Sequence, residues 1–361
     1  MRDAGYHHPL AVSKNQKMTK TKKDRIETVM NGGRHVVILG AGASIASTYR
    51  NQEASGKRLP SMDNFIELVS LEDVVEKVDD KLKAPNFETL YTNLHNDNPN
   101  SAEIKEIEKR VSEYFGDMAL PDEPTIYDYL ILSLRSKDII ATFNWDPFLY
   151  QAFVRNHGIG ESPYLSFLHG NVSIGYSPID KRSGAAGMTS KATGNFYAPT
   201  KLLYPIEQKN YNSDEFISTE WARLKHFISS DAAKRLTIFG YGAPVSDVEA
   251  VSLLNNAWGT SEQRNMEQVE IIDVRNEDDI RETWKGFIHS HHYDYVNDYF
   301  DSSLALNPRR TSEAYFQQIT PMTPGEMFSE NNPVPKDFKT LKELQEWHLD
   351  LIKAEEEHKK E

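Results

Sequence analysis

The sequence contains no cysteine, and this absence excludes both disulfide bonds and metal sites built from thiolates. Proteins without disulfides are typical of reducing compartments, so we expect a cytoplasmic location. Long hydrophobic runs are also absent, and the mean hydropathy is -0.61. Since a membrane-spanning helix needs about 20 mostly apolar residues, we expect no membrane span.

Positive charge is scarce relative to negative charge, with 41 Lys and Arg against 54 Asp and Glu and a net charge of -13. Surfaces that bind nucleic acid are normally basic, so we expect no strong nucleic-acid binding by this chain alone. The exception is residues 1–30, which are rich in lysine and lack the apolar core of a secretory signal. We interpret them as a basic N-terminal arm.

What the sequence does contain is an alternation of short apolar runs and helical patterns over residues 31–290. "RHVVILGAGASIAS" (34–47) is typical of a strand, a glycine turn and a helix start. Further strands are predicted at 138–144, 164–170, 235–242 and 268–274, with helices between them. This alternation predicts an α/β fold, a Rossmann-like doubly wound parallel sheet with helices on both faces.

Three segments depart from that alternation. Residues 61–135 have apolar positions at three- and four-residue spacing and predict a helical insertion. Residues 171–200 are rich in Gly, Ser, Ala and Thr and predict a long flexible loop. Residues 291–361 form a predicted C-terminal extension with an amphipathic helix at about 336–360, expected to pack on its own domain or at a subunit contact.

The first candidate site element is the turn Gly40-Ala41-Gly42-Ala43-Ser44. Glycines let a backbone approach a phosphate, and the N–H groups of the following helix start bind it. Ile45 occupies the place of the third glycine of the dinucleotide fingerprint, and no acidic-ended second strand follows. These departures disfavour a hydride-transfer dehydrogenase.

The second element is "ATFNWDPF", in which Thr142, Asn144 and Asp146 alternate after an apolar run. Alternate positions of a strand face the same side, so these polar groups are expected at one spot, with Trp145 turned away. The alternative is ordinary turn chemistry, because Asn and Asp commonly begin loops.

Other strand ends supply the remaining candidates. His169 follows an apolar run in "FLHGN", and Gly240, Tyr241 and Gly242 end another in "IFGYG". Asp273, near the end of the last predicted strand, is a further cofactor-binding candidate. Each of these residues could instead simply end a strand and begin a turn. Parallel α/β sheets, however, bind ligands at the carboxyl ends of their strands.

The ordered set GAG-x-S, T-x-N-x-D, L-H-G and a late G-Y turn resembles the sirtuin-like NAD-binding fold. In particular it is similar to the bacterial branch that hydrolyses NAD in anti-phage defence, and the likeness extends over about residues 30–280. The resemblance implies that the first glycine turn cradles the pyrophosphate and that Asn144 holds the nicotinamide-side ribose and the attacking water, with Asp146 beside it. It also implies a catalytic role for His169 and an adenosine-side position for the late turn.

The chain departs from the protein deacetylases of that family in two places. It lacks the four cysteines that hold their structural zinc, so no zinc is expected, and the G-x-P-D-F-R stretch is altered to "RLPSMDNF". Both departures weaken the expectation of deacylation. NAD+ is therefore expected as a substrate that is cleaved.

The residue chemistry agrees with an NAD+ glycohydrolase that cleaves the nicotinamide–ribose bond. His169 suits a base near neutral pH, Asn144 offers both a donor and an acceptor, and Asp146 is expected to stabilise a cationic ribose. The alternatives are a non-catalytic NAD or ADP-ribose sensor and, third, an NAD-dependent protein deacylase. A metal at His289, His291 and His292 is disfavoured, because no carboxylate lies at the usual ligand spacing.

An uncontrolled NAD hydrolase would poison its own cell, so regulation by assembly is expected. We expect a homo-oligomer, and the family resemblance implies a ring-forming, HerA-like DNA-translocase ATPase as a further partner.

Overall fold

The computed structural model describes residues 33–48, 57–206, 211, 214–229, 232–243, 247–264, 268–288, 293–319 and 332–358. The predicted basic arm and the three histidines at 289, 291 and 292 lie outside the described residues.

A six-stranded parallel sheet in the order β3-β2-β1-β7-β8-β9 forms the centre of the fold. The predicted doubly wound α/β fold is therefore confirmed. The chain begins in the middle at β1, runs outward through β2 and β3, and then returns to β7 beside β1. The topological switch point thus lies between β1 and β7, where folds of this type bind ligands. The strands of this sheet are Arg34–Leu39 (β1), Ile139–Thr142 (β2), Tyr164–Phe167 (β3), Ala233–Phe239 (β7), Gln268–Ile272 (β8) and Tyr293–Val296 (β9).

Helices connect these strands, and those of the insertion lie between β1 and β2. No strand occurs among the described residues from 57 to 138, so the predicted helical insertion is confirmed there. Short 3₁₀ helices occur at Asp80–Leu82 and Tyr299–Asp301. The α-helices are Ala41–Thr48 (α1), Phe65–Leu68 (α2), Glu72–Glu76 (α3), Phe87–Asp97 (α4), Ala102–Gly116 (α5), Ile126–Ser133 (α6), Phe148–Arg155 (α7), Glu215–Ile228 (α8), Val248–Trp258 (α9), Glu277–Trp284 (α10), Ser303–Leu306 (α11), Thr311–Ile319 (α12) and Leu341–His358 (α13).

Burial explains why the central strands carry continuous apolar runs. Val36 to Leu39 of β1 are fully buried, because β1 is flanked by β2 and β7 and helices α8 and α12 pack on it. Among the described residues, no helix combines the length and the apolar character that crossing a membrane requires.

Residues 171–200 are not the flexible loop that their composition predicts. They contain a three-stranded antiparallel sheet in the order β5-β4-β6. Packing requires glycine at positions 175 and 184, because a Cβ on Gly175 or Gly184 would approach Tyr197 to 2.5 Å. These strands are Ile174–Ser177 (β4), Arg182–Ala185 (β5) and Ala198–Pro199 (β6).

The C-terminal extension begins inside the sheet rather than after it. β9 pairs in parallel with β8, so a domain boundary at residue 290 would cut the sheet. The predicted C-terminal helix is α13, which packs on α6. Leu344 and Leu351 on the apolar face of α13 are buried within this chain. The helix therefore packs on its own domain, which was one of its two expected uses.

Candidate functional site

A cavity of about 330 Å³ opens at the carboxyl ends of the parallel strands, at the β1–β7 switch point. It brings together most of the residues that the strand-end motifs predicted. It is lined by Gly40, Ala41, Ser44, Leu59, Pro60, Met62, Phe65, Glu88, Phe115, Phe143, Asn144, Trp145, Asp146, His169, Leu203, Pro205, Gly240, Tyr241, Gly242 and Asp247.

The two glycine turns touch each other through their backbones. The Gly42 N–H donates to the Gly240 carbonyl at 2.9 Å, and a Cβ on Gly240 would approach the Ala43 nitrogen to 2.4 Å. Gly240 also has a φ of +60°, which side chains rarely adopt. The turns therefore require glycine because they interlock.

This interlocking reduces the number of amides that α1 can offer to a ligand. Gly42 donates to the late turn, and the Ala43 N–H donates to the Gly40 carbonyl at 3.0 Å. The Ala41 N–H has no hydrogen bond to the described residues. Together with the positive end of the helix dipole, it is the donor left for an anion.

Asn144 lies in the loop after β2, where hydrogen bonds fix its side-chain amide, including a longer one of 3.3 Å to the Tyr127 hydroxyl. Nδ2 donates to the Gly40 carbonyl at 2.8 Å and to Ser44 Oγ at 2.9 Å. Both amide hydrogens are thereby used, while Oδ1 accepts no hydrogen bond from the described residues. Asn144 therefore offers an acceptor to a ligand hydroxyl or water, rather than the donor and acceptor that its chemistry allows.

Asp146 ends a buried chain of hydroxyl groups. Ser44 Oγ donates to Asp146 Oδ2 at 2.7 Å, and the Phe148 N–H donates to Oδ1 at 3.2 Å. Because Ser44 has one proton, the Tyr127 hydroxyl, 2.7 Å from Ser44 Oγ, must be the donor in that pair.

Burial sets the protonation of this chain. It raises the pKa of Asp146 to about 6, and it raises the pKa of Tyr127 well above its usual range. Tyr127 is therefore a permanent donor, while Asp146 titrates near neutral pH. Tyr127 was not predicted from the sequence; a tyrosine inside a mostly apolar helix, whose hydroxyl needs a partner, was the available signal.

His169 follows β3 and is buried among aromatic rings. Its Nε2 lies 3.1 Å from the Tyr211 hydroxyl, and its ring meets Phe143 edge-on at a centroid distance of 4.8 Å. Burial raises the pKa of Tyr211 well above its usual range, so its hydroxyl stays protonated. The donor in this pair is set by the tautomer of the His169 ring. Tyr211 also was not predicted.

Four predicted residues do not line the cavity, and the first is Gly42, whose N–H donates to the late turn. Thr142 is buried, and its Oγ1 accepts the Asn144 N–H at 3.0 Å. Ala43 lies inside α1. Asp273 forms an ion pair with Arg275 at 2.8 Å instead of reaching the cavity.

Trp145 lines the cavity, so the expectation that it turns away is wrong. The chain leaves β2 at Thr142, and the period-two alternation of a strand does not extend past that point. The Trp145 ring packs edge-on against Phe65 and Phe115, with centroid distances of 6.3 and 5.9 Å.

The cavity is acidic and aromatic. Asp146, Asp247 and Glu88 line it, whereas no Lys or Arg does among the described residues. Tyr241 donates to Asp247 at 2.9 Å and stacks on Phe143 at 4.2 Å. Within the described ranges, no cluster of three or more His, Asp or Glu side chains could hold a metal ion.

Comparison with known proteins gives no family model and no curated protein that matches. Similar solved structures include a Sir2 homologue–NAD complex, with 11% identity, 84% of this chain and 96% of that chain covered, and a TM-score of 0.38. A Sir2 homologue mutant with 2′-O-acetyl ADP ribose has 12% identity, coverages of 83% and 98%, and a TM-score of 0.39. Another Sir2 homologue mutant, in complex with ADP ribose, has 11% identity and a TM-score of 0.35, and the match covers 71% of this chain and 86% of that chain. All three TM-scores are below 0.5, so the fold class rests on the strand order of the chain itself.

Proposed function

We propose that the protein is an NAD+ glycohydrolase that releases nicotinamide and ADP-ribose. The observation that carries the proposal is the convergence of Asn144, Asp146 and His169 on one cavity beside a glycine turn at the switch point of the sheet. The motif order supports a place in NAD depletion during anti-phage defence. The toxicity of an uncontrolled NAD hydrolase supports control by homo-oligomerisation, and the family resemblance supports a ring-forming, HerA-like ATPase as a further partner.

The charge pattern of the cavity favours a substrate with one cationic and one anionic part. The nicotinamide ring of NAD+ is cationic, and carboxylates and aromatic faces attract cations. The pyrophosphate is anionic and fits the Ala41 N–H at the start of α1. A dinucleotide lying from the α1 turn toward Trp145 satisfies both requirements.

Hydrolysis breaks the bond between C1′ of the ribose and the ring nitrogen, and the bonding electrons leave with neutral nicotinamide. Asp146, 3% exposed, stabilises the cationic ribose that develops. Asn144 Oδ1 accepts a hydrogen bond from the attacking water, whose oxygen bonds to C1′. The water proton passes to His169 and then to solvent, giving nicotinamide, ADP-ribose and one proton.

The test is nicotinamide release from NAD+ by purified protein, with any co-purifying partner retained. We expect turnover by the wild type and a loss of about 10²–10⁴-fold in Asn144→Ala and His169→Ala. His157→Ala, at an exposed histidine, is the matched control and should retain the rate. Circular dichroism checks that each variant is folded.

The same assay separates the alternatives. Binding of ADP-ribose without nicotinamide release in any state would replace the hydrolase by a sensor. Removal of an acyl group from a lysine peptide only when NAD+ is present would replace it by a deacylase.

A further inference from the structure

Asn171 holds the backbone of the loop that carries Asn144 and Asp146. Its side chain is 1% exposed, and Nδ2 donates to the Asp146 carbonyl at 2.6 Å and to the Asn144 carbonyl at 3.2 Å. The next amide, Val172 N–H, donates to the Trp145 carbonyl at 3.1 Å. Three successive carbonyls of the loop are thus held from one side.

The orientation of the Asn171 amide is fixed by its other bonds. Oδ1 accepts the Ser173 N–H at 2.9 Å, so Nδ2 must face the loop carbonyls. Thr200 accepts the Asn171 N–H at 3.3 Å and donates to its carbonyl at 3.1 Å. Asn171 is therefore anchored on the small sheet and has no spare hydrogen-bonding group on its amide nitrogen.

The same short segment also holds His169. The His169 carbonyl accepts the Leu203 N–H at 2.9 Å, and Gly170, with a φ of +77°, turns the chain toward Asn171. A Cβ on Gly170 would approach the Lys201 carbonyl oxygen to 2.0 Å. Residues 169–172 therefore connect His169 rigidly to the loop of Asn144 and Asp146.

We propose that Asn171 is a positioning residue, which sets the distance and orientation of Asn144 and Asp146 relative to His169. This inference rests on the proposed hydrolase function. A displacement of reacting groups by about 1 Å can cost on the order of 10²-fold in rate. Asn171 itself does not line the cavity, so its loss should affect turnover more than substrate binding.

The test compares Asn171→Asp and Asn171→Ala with the wild type in steady-state nicotinamide release. We expect kcat to fall about 10- to 100-fold while KM for NAD+ stays within about threefold. An ionised aspartate at position 171 has no donor for the loop carbonyls, whereas a protonated one has a single O–H donor. The kcat of Asn171→Asp, divided by the wild-type kcat at the same pH, should therefore rise at low pH. Loss of packing alone would not produce that pH dependence.

Asn156→Ala is the matched control. Asn156 is equally buried, and its Nδ2 also makes two bonds, to Asp128 Oδ1 and the Ala152 carbonyl, both at 2.8 Å, but it lies outside the cavity. It should lower the free energy of unfolding and leave kcat within about twofold. If the wild type turns over NAD+ and the Asn171 variants keep its kcat, the positioning role is wrong but the proposed function stands. The same holds if the variants change only KM. Absence of turnover in every form would overturn the proposed function and this inference together.

Discussion

At the scale of single residues, Asp146 determines how the site responds to pH. Its carboxylate accepts a hydrogen bond from Ser44 Oγ, and in the proposed reaction it stabilises the cationic ribose. Burial raises its pKa to about 6, so it is protonated below that pH and ionised above it. An uncharged Asp146 loses its attraction for a cationic ribose.

We therefore expect kcat for nicotinamide release to fall as the pH drops through about 6, by roughly tenfold per unit below the pKa. The measurement is a pH–rate profile of the wild type beside Asp146→Asn, which should be slow and lack this limb. A limb that persists unchanged in Asp146→Asn would assign the titration to another group.

Residue-scale prediction from the sequence succeeds where the signal is local. Asn144, Asp146 and His169 each follow an apolar strand, and the carboxyl ends of parallel strands meet at one edge. Tyr127 lies in a helix rather than after a strand, and Asn171, two residues after His169, does not line the cavity. Tyr127 meets Ser44 across 83 positions of sequence, and the role of Asn171 depends on which carbonyls the folded loop presents.

At the scale of elements, the interlocked glycine turns link β1 to β7. Gly240→Ala combines a left-handed backbone with a clash against Gly42 and Ala43, so we expect a loss of more than about 3 kcal/mol in the free energy of unfolding. Gly187→Ala has the same backbone problem, with a φ of +76° but open space around it, and should cost about 1–2 kcal/mol.

Urea unfolding of both variants checks this difference. Equal losses would mean that the two turns do not touch in solution. ADP-ribose binding should weaken in Gly240→Ala only, because only that turn lines the cavity.

Element prediction fails where tertiary contact overrides composition. The glycines at 175 and 184 are typical of a flexible loop, but Tyr197 covers both and makes them part of a sheet. β9 was missed because "YDYV" is a short, partly exposed edge strand with a weak apolar pattern.

At the scale of the whole molecule, a buried ionic cluster at the amino edge of the sheet joins the C-terminal helix to the core. Arg309 Nη2 lies 2.6 Å from Glu355 Oε2, and Arg309 also donates to the carbonyls at the end of α6. Arg310 lies 3.7 Å from the same carboxylate, and burial lowers its pKa to about 10.

We expect Glu355→Gln to lower the free energy of unfolding by about 3–5 kcal/mol, because two buried guanidinium groups lose their carboxylate. Glu356→Gln, at the exposed neighbouring position, should change it by less than about 0.5 kcal/mol. Thermal and urea unfolding measure both values. A small effect of Glu355→Gln would show that α13 is only loosely attached.

The ionic cluster also sets an order of events during synthesis. Glu355 follows Arg309 by 46 positions, and His35 at the start of β1 bonds to Thr311 through Nδ1. At translation rates of about 5–20 residues per second, the arginines are made roughly 2–9 s before their carboxylate. The ion pair that attaches α13 to the core can therefore form only when synthesis has nearly completed that helix.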